Sequence, residues 1–282
     1  MEKITEIHGR LLEGCIWDER CDALYFVDIE KFRIYRMTKA DDLSFLSLPT
    51  YVSAIVLRED GKLLAALQDG LYTVDFERGE TEKIMESGFS DEVRYNDGKC
   101  DRYGDLWLGS MYVDQSRPGA KGGGSLFCIR DGAVAAEYPS YTIPNGLDWM
   151  DGCFFHTETG EKKISVYEQE PGVRGVIGKK VSEIDLSAEK GSPDGMCIDR
   201  DGNLWIAMWG GFEVIGYDPR RKEVFKRLEV PDANVSCCVF GGKEKNRLFV
   251  TTAKDENGNG GEVYTVLLTD YCGKAGYRYG GR

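Results

Sequence analysis

Asp60-Gly61-Lys62-Leu63-Leu64, Tyr103-Gly104-Asp105-Leu106-Trp107 and Asp201-Gly202-Asn203-Leu204-Trp205 are three copies of one pattern, a turn followed by an apolar or aromatic run. Looser copies read Asp22-Ala23-Leu24-Tyr25, Asp151-Gly152-Cys153-Phe154-Phe155 and Asn246-Arg247-Leu248-Phe249. The first apolar residues after these turns, Leu24, Leu63, Leu106, Phe154, Leu204 and Leu248, recur at intervals of 39 to 50 residues. A unit of that length holding several strands is the signature of a β-propeller. Before each marker lies a short apolar run such as Ala54-Ile55-Val56-Leu57, which reads as a fully buried strand. After it comes an alternating run such as Leu71-Tyr72-Thr73-Val74, which reads as a strand with one wet face. A fourth, more polar strand fits Glu223–Leu228. The expected fold is all-β, a six-bladed propeller of four-stranded antiparallel blades around a central channel, forming one domain over residues 1–282.

Composition narrows the class of function. At 41% hydrophobic and 30% charged the chain reads as an ordinary globular protein, and 35 glycines supply its many tight turns. A formal charge of -12 argues against nucleic acid or an anionic membrane as partner, because both need clustered Lys and Arg. Neither a signal-peptide pattern nor a run of about 18 apolar residues is present, so the expected location is the cytoplasm. The nine cysteines are odd in number and sit mostly in apolar strand patterns, as expected of reduced, buried thiols. With two histidines, His8 and His156, and no Cys-x-x-Cys pair, a Cys/His zinc site is not expected. The glycine-rich Ser116–Gly124 segment lacks the strand and helix of a phosphate loop and reads as a flexible loop.

Counting back nine to eleven residues from the markers reaches Glu13, Ser53, Asn96, Asn145 and Asp194, each just ahead of an apolar strand. In a propeller such positions converge on the channel mouth. Taken singly, each has a structural explanation, and Pro193-Asp194-Gly195 reads as a β-turn; their common phase favours a site. Two carboxylates with amide oxygens form a hard-oxygen set suited to one divalent ion, Ca²⁺ first, with Mg²⁺ or Mn²⁺ next. The sixth mouth residue is Asn234 or Ser236. Asp18, Asp101, Asp148 and Asp199, five or six residues before their markers, read as turn-capping residues at the other end of the strand. His156 reads as structural, and no Gly-x-Ser-x-Gly elbow is present.

The strings Glu13-Gly14-Cys15-Ile16-Trp17-Asp18, Arg94-Tyr95-Asn96-Asp97-Gly98-Lys99-Cys100-Asp101, Pro144-Asn145-Gly146-Leu147-Asp148-Trp149 and Ser192-Pro193-Asp194-Gly195-Met196 together carry a resemblance. The chain resembles the senescence-marker-protein (regucalcin)/gluconolactonase/luciferin-regenerating-enzyme-like family, metal-dependent sugar lactonases on six-bladed propellers, over about residues 5–270. The resemblance implies Glu13, Asn145 and Asp194 as ligands of the divalent ion, with Zn²⁺ joining Ca²⁺, Mn²⁺ and Mg²⁺ among the ions. It further implies Asp194 as general base and Arg94 and Asn96 as contacts to substrate hydroxyls, with Asp114 as the nearest acidic candidate after Met111. Cys15 stands where the family usually has Pro, and Glu158 where Asp is common. The function expected is opening of a sugar lactone, such as gluconolactone, to the free acid, with a small-molecule lactone as partner. The rival readings are an esterase or phosphotriesterase on the same site, and a non-catalytic propeller that binds a ligand or protein.

Overall fold

The computed structural model describes residues 1–39 and 42–281. After β1 (Glu2–Lys3), the first sheet holds β2 (Leu12–Asp18), β3 (Ala23–Asp28), β4 (Arg33–Lys39) and β5 (Asp42–Ser47). The second holds β6 (Val52–Leu57), β7 (Leu63–Leu67), β8 (Gly70–Asp75) and β9 (Glu80–Glu86). The third holds β10 (Val93–Cys100), β11 (Leu106–Tyr112), β12 (Gly124–Arg130) and β13 (Ala133–Tyr141). The fourth holds β14 (Pro144–Met150), β15 (Cys153–Glu158), β16 (Lys163–Glu168) and β17 (Lys180–Asp185), with a single 3₁₀ turn at Thr159–Glu161. The remaining strands are β18 (Ser192–Ile198), β19 (Leu204–Trp209), β20 (Glu213–Asp218), β21 (Glu223–Glu229), β22 (Asn234–Gly241), β23 (Arg247–Ala253) and β24 (Val263–Leu267). These strands are antiparallel to their neighbours, and β1 closes the chain on itself by pairing Glu2 with Thr265 and Lys3 with Tyr264.

The expectation of six separate four-stranded blades is corrected here. The all-β propeller has four separate four-stranded blades, and the strands from β18 onward merge with β1 into one eight-stranded sheet. The join is local: Trp209, at the end of β19, pairs with Asn234 at the start of β22, and the Phe212 amide donates to the Ala233 carbonyl. A repeat in the sequence fixes the length of each unit but not whether neighbouring strand ends come within ladder distance.

The first strands β2, β6, β10, β14, β18 and β22 contact one another in cyclic order, which encloses the channel. Burial falls outward as the alternation in the sequence requires: β6 and β7 are wholly buried, whereas β9 and β13 are largely exposed. Apolar faces pack between adjacent sheets, with Trp107 and Trp205 fully buried. Each indole donates to an aspartate at the end of the preceding strand, Trp107 Nε1 to Asp101 (3.0 Å) and Trp205 Nε1 to Asp199 (3.0 Å). Both aspartates also accept turn amides, as the capping reading expects. No helix among the described residues is long and apolar enough to cross a membrane.

Residues 269–281 form a strap across the channel end remote from Glu13. The strap's Cys272 carbonyl accepts from the Arg200 amide, and the Gly273 amide donates to the Lys245 carbonyl. Lys274 pairs with Asp148, Arg278 with Asp18, and the Tyr279 amide donates to the Leu57 carbonyl. The Gly280 amide donates to the Gly104 carbonyl, and the Tyr279 hydroxyl accepts from the Gly132 amide at 2.8 Å. The strap thus touches a strand or turn of every sheet. Tyr279 is 1% exposed in the core shared by the second and third sheets. Tyr279→Ala is therefore expected to destabilise the fold by about 3–5 kcal/mol in urea unfolding, against roughly 1 kcal/mol for Tyr279→Phe.

Candidate functional site

In each of the six first strands the ladder slips at one place: at Glu13–Ile16, Val52–Ala54, Tyr95–Gly98, Asn145–Leu147, Pro193–Met196 and Val235–Cys237. A β-bulge re-aims the side chain that it carries. Glu13, Ser53, Asn96, Asn145 and Asp194 sit at these slips, and so does Ser236. Asn145-Gly146 and Asp194-Gly195 are not reverse turns; they lie inside β14 and β18. A Cβ on Gly146 would stand 2.6 Å from the Asp194 carbonyl, and one on Gly195 2.8 Å from the Ser236 carbonyl. Glycine is required there because neighbouring first strands approach backbone to backbone.

The mouth side chains are joined by a one-way run of donors. Arg94 Nη1 donates to the Asn96 Oδ1 (2.8 Å), and Asn96 Nδ2 donates to the Asn145 Oδ1 (2.9 Å) and the Pro144 carbonyl (3.0 Å). Asn145 Nδ2 donates to Thr159 Oγ1 (2.8 Å), whose hydroxyl donates to the Pro193 carbonyl (2.8 Å), next to Asp194. This run fixes the orientation of both amides and leaves Asn145 Oδ1 a free lone pair. Thr159 was not singled out in the sequence, where nothing marks it; its position in a 3₁₀ turn between β15 and β16 brings it to the mouth.

The two carboxylates have too few partners for their burial. Glu13, 9% exposed, accepts from the Gly14 amide (3.0 Å), and Asp194, 4% exposed, has an Oδ1 with no hydrogen-bond partner. Burial, then the Asp97 charge, pushes Glu13 up to about 8 against the pull of the Gly14 amide and Arg94. Burial, then Glu13 and Asp97, pushes Asp194 well above the ordinary carboxyl range. Burial also lowers the Arg94 guanidinium, with Glu13 opposing. An orphaned carboxylate oxygen, a second strained carboxylate and a fixed amide oxygen are a donor set that fits a hard divalent cation. Among the described residues no cluster of three or more His, Cys, Asp or Glu forms a metal site, so any ion here relies on the amide.

Other candidates lie apart from this group. Asp114 is exposed, and its Oδ1 accepts from the Ser116 amide (2.9 Å) and hydroxyl (2.6 Å) within its own turn. Ser53 is buried with an unpartnered hydroxyl. Ser236 donates to the Leu12 carbonyl at 2.5 Å. His156 is buried against Tyr141 and Phe154, and burial drives it down to about 3, so it stays neutral. Glu158 accepts from the Thr142 and Ile143 amides, fixing the approach to β14. Asp148 corrects the capping expectation: it faces the channel, where Lys99 and Lys274 both reach it. Those three residues line a cavity of about 100 Å³, together with Asp97 and Cys197; Arg94, Asn96, Asn145 and Asp194 do not line it.

Residues 11–254 match the family model described as the SMP-30/Gluconolactonase/LRE-like region. The chain belongs to this family. A putative sugar lactone lactonase, YvrE, of Bacillus subtilis is 30% identical over 91% of this chain and 88% of its own. The pentonolactonase XacC of Haloferax volcanii is 32% identical over 92% of this chain and 88% of its own. Among solved structures, a regucalcin of Agrobacterium tumefaciens described as a calcium-binding protein superposes with a TM-score of 0.89 at 25% identity, covering 98% of this chain and 96% of its own. The strap lies beyond the matched stretch of the family.

If Thr159 holds the mouth as its contacts indicate, Thr159→Val loses the bond to Asn145 and to the Pro193 carbonyl and leaves a buried acceptor open. That is expected to lower stability by about 1–3 kcal/mol, measured by urea unfolding.

Proposed function

We propose that this protein hydrolyses a sugar lactone to the open hydroxy acid, using one divalent ion, Ca²⁺ in the first instance, held by Glu13, Asn145 and Asp194. The observation that carries the reading is the buried, unpartnered oxygen of Asp194 set in a mouth with Glu13 and the Asn145 amide. The lactonase names of its relatives support the reaction class, and the calcium-binding description of its structural neighbour supports the ion.

When bound, the ion supplies Lewis-acid polarisation of the lactone carbonyl. Asp194, ionised in that state, takes a proton from the attacking water, whose oxygen adds to the carbonyl carbon. The ring C–O bond then breaks, and the proton passes to the departing ring oxygen, giving an acid and a hydroxyl. Arg94 and Asn96 hold the sugar hydroxyls and so orient the ring. Asp114 is the acidic candidate of the loop after β11 for a further substrate contact; its exposed carboxylate accepts from Ser116 in its own turn. No covalent intermediate is involved. We place the protein in the cytoplasm, on its nine free cysteines, among them Cys197 and Cys238 with sulfurs 3.9 Å apart.

The test is a comparison of substrates on Ca²⁺-loaded protein: aldonolactones, an aryl ester and a phosphotriester, followed by pH indicator. Lactones are expected to turn over fastest. An aryl ester or phosphotriester that outpaces every lactone would move the assignment to an esterase or phosphotriesterase, and silence on all three to a binding propeller.

A further inference from the structure

The bulge that carries Asp194 is the least supported backbone at the mouth. The β18–β19 ladder slips between Pro193 and Met196, so Asp194 and Gly195 lie outside it. Side chains grip both edges of this gap. On the entry side, Thr159 Oγ1 donates to the Pro193 carbonyl. On the exit side, Lys99 Nζ donates to the Met196 carbonyl at 2.9 Å.

Lys99 comes from β10, the strand of Asn96, and its second bond runs to Asp148 Oδ2 (3.2 Å) on β14, the strand of Asn145. The same Asp148 oxygen accepts from the Ile198 amide (3.0 Å) on β18, and its other oxygen accepts from the Trp149 amide (2.8 Å). Two side chains therefore tie together the three strands that present Asn96, Asn145 and Asp194. Lys274 of the strap pairs with Asp148 Oδ1 at 2.6 Å and reaches the Trp149 carbonyl, but it has no bond to β18. Burial opposes both charges, yet Lys274 and Lys99 keep Asp148 below the ordinary carboxyl range, and Asp148 keeps Lys99 above the ordinary ammonium range. The pair stays charged.

We infer that Lys99 and Asp148 are positioning residues for the ion site, a clamp below the mouth that sets where Asp194 stands relative to Asn96 and Asn145. The inference rests on the reading of Glu13, Asn145 and Asp194 as ion ligands. Neither clamp residue touches that set, so the effect passes through the backbone of β18. Supporting residues of this kind typically alter metal affinity about 10- to 100-fold.

The experiment measures Mn²⁺ dissociation constants by electron paramagnetic resonance, and melting temperatures, for wild type, Lys99→Met, Lys99→Arg and Lys274→Met. Lys99→Met is expected to weaken Mn²⁺ binding at least about tenfold, Lys99→Arg to recover part of the loss, and Lys274→Met to melt lower while binding within about twofold of wild type. If Lys99→Met does not fold, Lys99→Gln replaces it with the same expected direction. Wild-type affinity in the Lys99 variants overturns the clamp, and so does an equal loss in Lys274→Met at equal loss of melting temperature. A wild type that binds no Mn²⁺ overturns the ligand reading, and the clamp falls with it.

Discussion

Asp194→Asn yields a folded protein whose lactone turnover is lower by about 10²- to 10⁴-fold, the usual worth of a positioned general base. The change is nearly isosteric, so the backbone of β18 and the contacts of Pro193 and Met196 are kept. What it removes is one negative charge, which in the proposed function both holds the ion and accepts the proton of water. In the ion-free state the same change relieves a penalty, because Asp194 is buried with an unpartnered oxygen and pushed up by Glu13 and Asp97. The variant should therefore melt no lower than wild type in chelator above neutral pH while losing activity. Initial rates with excess Ca²⁺, set beside melting curves in chelator, check both halves. Activity near wild type would remove Asp194 from the chemistry; a collapsed fold would make it structural.

The second large effect is on stability against pH. In an unfolded chain Glu13 titrates near 4.5, whereas in the fold it is raised to about 8, and Asp194 is raised in the same direction. A carboxyl whose folded value is raised adds stability that is complete below the unfolded value and is lost as pH climbs through the folded one. The chelated protein should thus lose melting temperature from about pH 6.5 to pH 9, above the range in which the buried, neutral His156 adds stability with rising pH. A divalent ion replaces the proton as the counter-charge, so saturating Ca²⁺ should flatten the profile, and binding near pH 7 should release protons. Calorimetry in two buffers of different ionisation enthalpy measures that release. A chelated protein that grows more stable across the interval would refute the assignment of the two carboxylates.

The residues that the spacing picked out were legible for a physical reason. Each first strand carries its bulge at the same height, so the polar residue at the slip recurs in phase with the apolar marker, and Glu13, Ser53, Asn96, Asn145 and Asp194 could be counted off. The count left Asn234 and Ser236 open; Ser236 sits at the slip after Val235, and Asn234 pairs in the ladder before it. Asp148 was misread because it stands six residues before its marker, close to the five of Asp101 and Asp199. The distinguishing signal was present six residues on: Asp101 and Asp199 are followed there by Trp107 and Trp205, whose indoles donate to them, whereas Asp148 is followed by Phe154, which has nothing to donate. Asp18 is followed at that spacing by Leu24; it caps its turn as expected by accepting from the Arg20 amide (3.0 Å), and it also takes Arg278 of the strap. Thr159 and the strap could not be read from the repeat, since both lie in connections that it does not govern. The merging of β19 with β22 depends on one pair at the strand ends, Trp209 and Asn234, which periodicity does not encode.

The central claim is that Glu13, Asn145 and Asp194 hold one divalent ion on which lactone opening depends. The most direct measurement is aldonolactone hydrolysis by chelator-stripped protein as Ca²⁺ is titrated back, with bound ion counted in parallel. The account predicts no enzymatic turnover at the start and a rise in step with the filling of a single site. Full turnover in the presence of chelator would contradict it.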